Sequence, residues 1–149
     1  MKLRLPQKQQ TQLTHVLIIG ILVLFSCTSS LFAQDSTQVE FRYELRYQGA
    51  SVTINSNYRY IMEYLVETLE KDTTIHIHIR GHVCCGPGEK ISMKRAKNVY
   101  RFLKKNGISP DRITYKGYSN ELPKAFPEKT AEDEARNRRV DFILYRKSR

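Results

Sequence analysis

The chain has 149 residues, of which 25 are Lys or Arg and 15 are Asp or Glu, giving a formal charge of +10. That length suits one domain and leaves no room for a second of ordinary size. No Ser-His-Asp spacing, catalytic carboxylate pair or glycine-rich phosphate loop is present, so the sequence offers nothing to support an enzyme, and no cofactor is expected.

The first element is set apart from the rest. Lys2, Arg4 and Lys8 open the chain without any acidic residue, and VLIIGILVLFS, residues 16–26, is an unbroken apolar run. A bilayer-spanning helix needs roughly 20 apolar residues, so this shorter run suits a secretory signal. Residues 1–33 are read as a signal peptide cleaved after Ala33, with lipidation at Cys27 in LFSC as the alternative exit and an uncleaved anchor as the third. Each exports the domain, toward the periplasm or an outer membrane. Removing residues 1–33 takes away three basic and no acidic residues, leaving +7. An exported basic domain has little occasion to meet nucleic acid; its anionic partners would be wall polymers, lipid head groups or acidic proteins.

After a short linker at 34–38, a domain is expected over 39–149. Residues 39–48 alternate, with Val39, Phe41, Tyr43, Leu45 and Tyr47 on one face, which predicts a strand. Asn55 to Asn57 offer helix caps, and Tyr58, Ile61, Met62, Leu65, Val66 and Leu69 recur at helical spacing to about Lys71. A second strand follows at 74–82. Ser92 would cap a second helix with Met93, Ala96, Val99, Tyr100 and Leu103 as its apolar face, stopped at Gly107. Ile113 to Tyr118 predict a third strand, 131–137 a short helix and 139–145 a last strand. The order is β-α-β-α-β-(α)-β.

One stretch does not fit a plain strand-to-helix connection. In IHIHIRGHVCCGPGEK, residues 75–90, a half-buried strand runs into Cys84 and Cys85 on a glycine-rich turn. A metal site, a redox site and a ligand-binding loop are the readings. His76, His78, His82 and Cys84 share parity, but at ~3.3 Å per residue they spread over about 25 Å and cannot surround one ion. No metal is expected. Adjacent cysteines can pair outside the cytoplasm, although their Cα atoms lie only about 3.8 Å apart against a usual ~4.4–6.8 Å, so the ring would be strained. Such a disulfide would stiffen the loop and could act as a redox switch.

Three segments resemble the OmpA-like domain, the peptidoglycan-binding module of many bacterial envelope proteins. IHIHIRGH is similar to the family's strand ending in GHTD, ISMKRAKNVYRFLKKNGISPDRITYKGYSNELP to its LSxxRA helix and following strand, and NRRVDFIL to its closing NRRVEI strand. The resemblance implies an α+β fold, a mixed sheet with helices on one face. It also implies a grip on diaminopimelate, whose ammonium and carboxylate call for an anion and a fork of donors. Arg95 stands at the position of the fork, and a guanidinium holds a carboxylate through two parallel bonds as Lys cannot. The acid is replaced: GHTD has become GHVC, with Val83 and Cys84, and a neutral thiol cannot pair with an ammonium. The loop before Arg95 is also shorter than the family's. His82, Asn137 and Arg138 complete the ligand-site candidates, with a structural role as the rival reading for each.

The sequence thus predicts a non-enzymatic cell-envelope protein that binds peptidoglycan through Arg95, partnered by envelope or outer-membrane proteins. The alternatives are an interaction module that has lost wall binding and a redox- or metal-responsive sensor built on Cys84 and Cys85.

Overall fold

The computed structural model describes residues 37–147. The signal peptide, its cleavage after Ala33 and Cys27 lie outside the described residues, as does most of the 34–38 linker.

Five strands and three helices follow one another: β1 (Gln38–Val39), β2 (Glu44–Arg46), α1 (Arg59–Lys71), β3 (Ile75–Gly81), α2 (Glu89–Lys105), β4 (Ile113–Gly117), α3 (Ala131–Asn137) and β5 (Arg139–Arg146). The sheet order is β1-β5-β3-β4, with β2 also paired to β5. β3 and β4 run parallel, and the other pairs are antiparallel. The expected mixed α+β architecture is therefore the one found.

Periodicity dictates the layers. In β3, Ile75, Ile77 and Ile79 are buried while His76, His78 and Arg80 alternate on the opposite, partly open face. Val140, Phe142 and Leu144 of β5 extend the apolar face. Met62, Leu65 and Leu69 of α1 and Ala96, Val99 and Leu103 of α2 share one core with these strand residues. α1 is entered through a short 3-10 turn at Ser56–Tyr58, where the Asn55 side chain accepts from the Asn57 amide as the capping residues predict. A capping box closes the start of α3, with Thr130 and Asp133 bonding each other's backbone.

Two expectations are corrected. The strand predicted over 39–48 is two short strands. β1 pairs Val39 with Leu144, whereas β2 pairs Glu44 with Asp141, so the register slips by two residues across 40–43. The chain bulges there and leaves Tyr43 exposed. The second correction concerns α2, which begins at Glu89, so Ser92 lies inside it rather than capping it. Its buried face is Ser92, Arg95, Ala96, Val99 and Leu103, and Met93 is 40% exposed.

A pair of glycines explains that rotation. Gly81 and Gly117 are register partners at the ends of β3 and β4. A Cβ on Gly81 would fall 2.0 Å from the Ser92 carbonyl oxygen, and one on Gly117 would fall 2.5 Å from the Met93 amide nitrogen. The first turn of α2 thus lies directly on the sheet backbone, which turns Ser92 and Arg95 inward.

Candidate functional site

The loop of residues 82–88 connects β3 to α2. It is held in place mainly by Ser119, which has φ +48°. The Ser119 carbonyl accepts from Val83 N–H at 2.9 Å and its hydroxyl accepts from Gly88 N–H at 2.8 Å. Ser119 N–H in turn donates to Ser92 Oγ at 3.2 Å. Within the loop, Cys85 and Gly86 take φ values of +41° and +79°, in the left-handed region. Cys84 and Cys85 form a disulfide with Cα atoms 3.8 Å apart. The sequence raised that pairing as an option. Cys85 N–H donates to Glu128 Oε2 at 3.1 Å, tying the loop to the segment before α3.

This loop forms one wall of an open groove of about 230 Å³ lined by Gly49, Ala50, Val83, Cys84, Cys85, Pro87, Gly88, Ile91 and Arg138. The lining is largely apolar. Among the described residues its single charged side chain is Arg138, which follows the last turn of α3 and donates through Nη1 to Glu134 Oε2 at 2.9 Å and to Cys84 Sγ at 3.2 Å. The Glu134 carboxylate and the two sulfurs all lie within 4.8 Å of one another. A cation, an anion and a disulfide therefore meet at the groove's edge.

The six candidate residues divide evenly. Val83, Cys84 and Arg138 line the groove. Arg95 does not: it is 0% exposed, and its guanidinium donates to the carbonyls of Ser51 (2.9 Å), His82 (2.7 Å) and Gly49 (2.6 Å). Its Cζ sits 4.7 Å over the Tyr47 ring. Burial lowers the guanidinium's pKa, and burial also pushes the Tyr47 phenol up to about 12. Three nitrogens of the fork expected to hold a carboxylate hold backbone instead, and one turn along α2 the Asn98 amide bonds Val52 O at 2.9 Å. Together they clamp the β2–α1 connection, and with it Gly49 and Ala50, onto the loop end of the sheet.

His82 is equally enclosed. Its ring stacks on Tyr118 at 5.7 Å, and Nε2 lies 3.4 Å from Asp141 Oδ2. Burial pushes its pKa down. Asp141 is bracketed by Arg80 Nε at 2.6 Å and Arg139 Nε at 2.9 Å. Burial opposes its charge, yet His82 and Arg80 hold its carboxyl well below the usual carboxylate range. Asn137 accepts from the amides of Lys124 (2.7 Å) and Ala125 (3.0 Å) and donates to Glu128, fixing the long loop before α3. Sequence reasoning missed Gly49, Ala50 and Ile91 as groove walls; the GAS turn was visible, but nothing in it pointed to a site.

A mixed sheet backed by two helices, with a groove where the β3–α2 loop meets the residue before β5, defines a two-layer α+β domain. The sequence profile of the OmpA family matches residues 46–138, and the chain belongs to that family. Among solved structures, the fold is similar to the peptidoglycan-associated lipoprotein from Burkholderia pseudomallei, with 21% identity and a TM-score of 0.63 over 68% of this chain and 88% of that one. The C-terminal domain of Helicobacter pylori MotB has 22% identity and a TM-score of 0.63 over 68% and 83%. The cell wall anchor of the type VI secretion system (T6SS) from Pseudomonas aeruginosa has 23% identity and a TM-score of 0.59 over 78% and 90%. No curated protein matches the chain.

Proposed function

We propose that this protein is a non-enzymatic component of the bacterial cell envelope whose domain binds peptidoglycan in the groove beside Arg138. Membership of the OmpA family and the likeness in fold to a peptidoglycan-associated lipoprotein and a cell wall anchor support this reading. The observation that carries it is the Arg138–Glu134 pair at the groove's edge. A wall-peptide centre bearing an ammonium and a carboxylate needs one anion and one cation close together. With Cys84 in place of the family's acid, Glu134 supplies the anion. Arg138 supplies the donor: its Nη2 makes no protein hydrogen bond among the described residues. In this reading Arg95 is a positioning residue that holds Gly49 and Ala50 against the groove, in place of the direct carboxylate anchor expected from its position.

Lys90, Lys94, Lys97, Arg101, Lys104 and Lys105 are all exposed along α2, and among the described residues none is in an ion pair. They give the domain a positive flank toward an anionic wall. Export by residues 1–33, a periplasmic location and a lipid anchor at Cys27 belong to the same proposal, as do envelope proteins as further partners.

Co-sedimentation with isolated wall sacculi tests it. The wild-type protein pellets with sacculi, and Arg138→Ala weakens retention about tenfold, the loss expected for one charge-assisted bond. If the wild type stays in the supernatant at low salt, the second reading takes its place: an interaction module that has lost wall binding. The burial of Arg95 beneath Gly49 and Ser51 favours that alternative.

A further inference from the structure

We infer that the Cys84–Cys85 disulfide is a thiol-exchange site for small thiols, in which Cys85 is the sulfur attacked and Cys84 the sulfur released. The two sulfurs are not equivalent. Cys85 is exposed and stands at the outer side of the loop, where it also borders a second cavity with Gly86, Asn120 and Phe126. Cys84 is half-buried in the groove wall, and its Sγ accepts a hydrogen bond from Arg138 Nη1 at 3.2 Å. Thiol exchange is fastest when the departing sulfur is the better stabilised thiolate, and a neighbouring guanidinium stabilises thiolate charge. Access and leaving-group stability therefore select the same direction.

A thiolate attacks Cys85 Sγ along the S–S axis. The Cys84–Cys85 bond breaks, its electron pair leaves on Cys84 beside Arg138, and a mixed disulfide forms at Cys85. A second thiol then attacks the mixed disulfide, releasing Cys85 as thiolate and leaving the two small thiols joined in a disulfide. Two electrons pass to the protein. The product carries a negative charge at position 84, inside the groove, and frees Cys85 from the ring that accompanies its positive φ. The charged groups facing these sulfurs are Arg138 and Glu134, from the end of α3, and Glu128, bonded to the Cys85 amide. Glu134 shares Arg138 Nη1 with Cys84 and so competes with the departing thiolate for that donor. Nothing in this chemistry depends on what the groove binds.

The test treats the folded full chain with glutathione, quenches with acid, alkylates free thiols and locates both groups by fragmentation between residues 84 and 85. The expected product carries glutathione on Cys85 and the alkyl group on Cys84. Arg138→Met should slow its formation about tenfold, and Glu134→Gln should speed it several-fold by leaving Arg138 to the thiolate alone. Because the two variants move in opposite directions, a folding defect in one leaves the other decisive. Glutathione on Cys84, an even split, no adduct on folded protein that reacts once unfolded, or rates that neither variant changes would each overturn the inference.

Discussion

Arg95 and His82 stand 13 residues apart, and the guanidinium of one donates to the carbonyl of the other at 2.7 Å in the protein interior. That bond joins the first turns of α2 to the end of β3 where the groove loop departs. With the parallel bonds to Gly49 and Ser51, it makes Arg95 the point at which three separate chain segments meet.

Arg95→Met should therefore act on stability before it acts on any ligand. Removing the guanidinium leaves three carbonyls without their donor, at a cost of about 3 kcal/mol. Arg95→Lys should recover only part of this, since an ammonium cannot span the same fork. Urea unfolding of both variants measures it; an Arg95→Met protein as stable as wild type would show that these bonds contribute nothing net.

The two glycines that support this geometry should respond very differently to alanine. Gly81→Ala places a Cβ 2.0 Å from the Ser92 carbonyl oxygen, so α2 must lift from the sheet, at about 3 kcal/mol. Gly49→Ala meets nothing within 4 Å and suffers only its φ of +48°, about 1 kcal/mol. Thermal melts of the two proteins should separate clearly, with Gly81→Ala the lower.

Much of the fold is legible in the sequence because period and caps are local. The β3 isoleucines and the α1 stripe follow from spacing alone, whereas the 131–137 helix has no apolar stripe and is started by its local Thr130–Asp133 capping box. The bulge at 40–43 does not, since it comes from how β1 and β2 share β5. The site is less legible than the fold. Asn137, Arg138 and Arg139 are adjacent, yet the first ties a loop, the second faces the groove and the third braces Asp141. Arg95 shows the same limit, because its place in α2 was readable but the Gly49 and Ser51 carbonyls over it were not. Those contacts depend on a rotation of α2 set by Gly81 and Gly117, which only packing reveals.

Acidification should weaken the fold in two stages. The folded pKa of His82 is lowered, so below the ordinary imidazole value of about 6.5 the unfolded chain takes up protons first and stability declines. Asp141 is lowered too, so its contribution is complete above the ordinary carboxylate value of 3.8 and is lost as pH falls through its depressed folded value. His82→Gln should shrink the first decline and leave the second, whereas Asp141→Asn should remove much of the second. Unfolding free energies at a series of pH values give both slopes, and an unchanged first slope in the His82→Gln protein would assign it to His78 instead.

On the proposed function, the groove beside Arg138 takes a wall-peptide centre. NMR titration of isotopically labelled protein with a diaminopimelate-containing stem peptide tests it most directly. Amide shifts should cluster at Gly49, Ala50, Val83, Cys84, Gly88 and Arg138 and largely vanish in Arg138→Ala. No shifts at millimolar peptide, or shifts centred elsewhere that persist in Arg138→Ala, would contradict it.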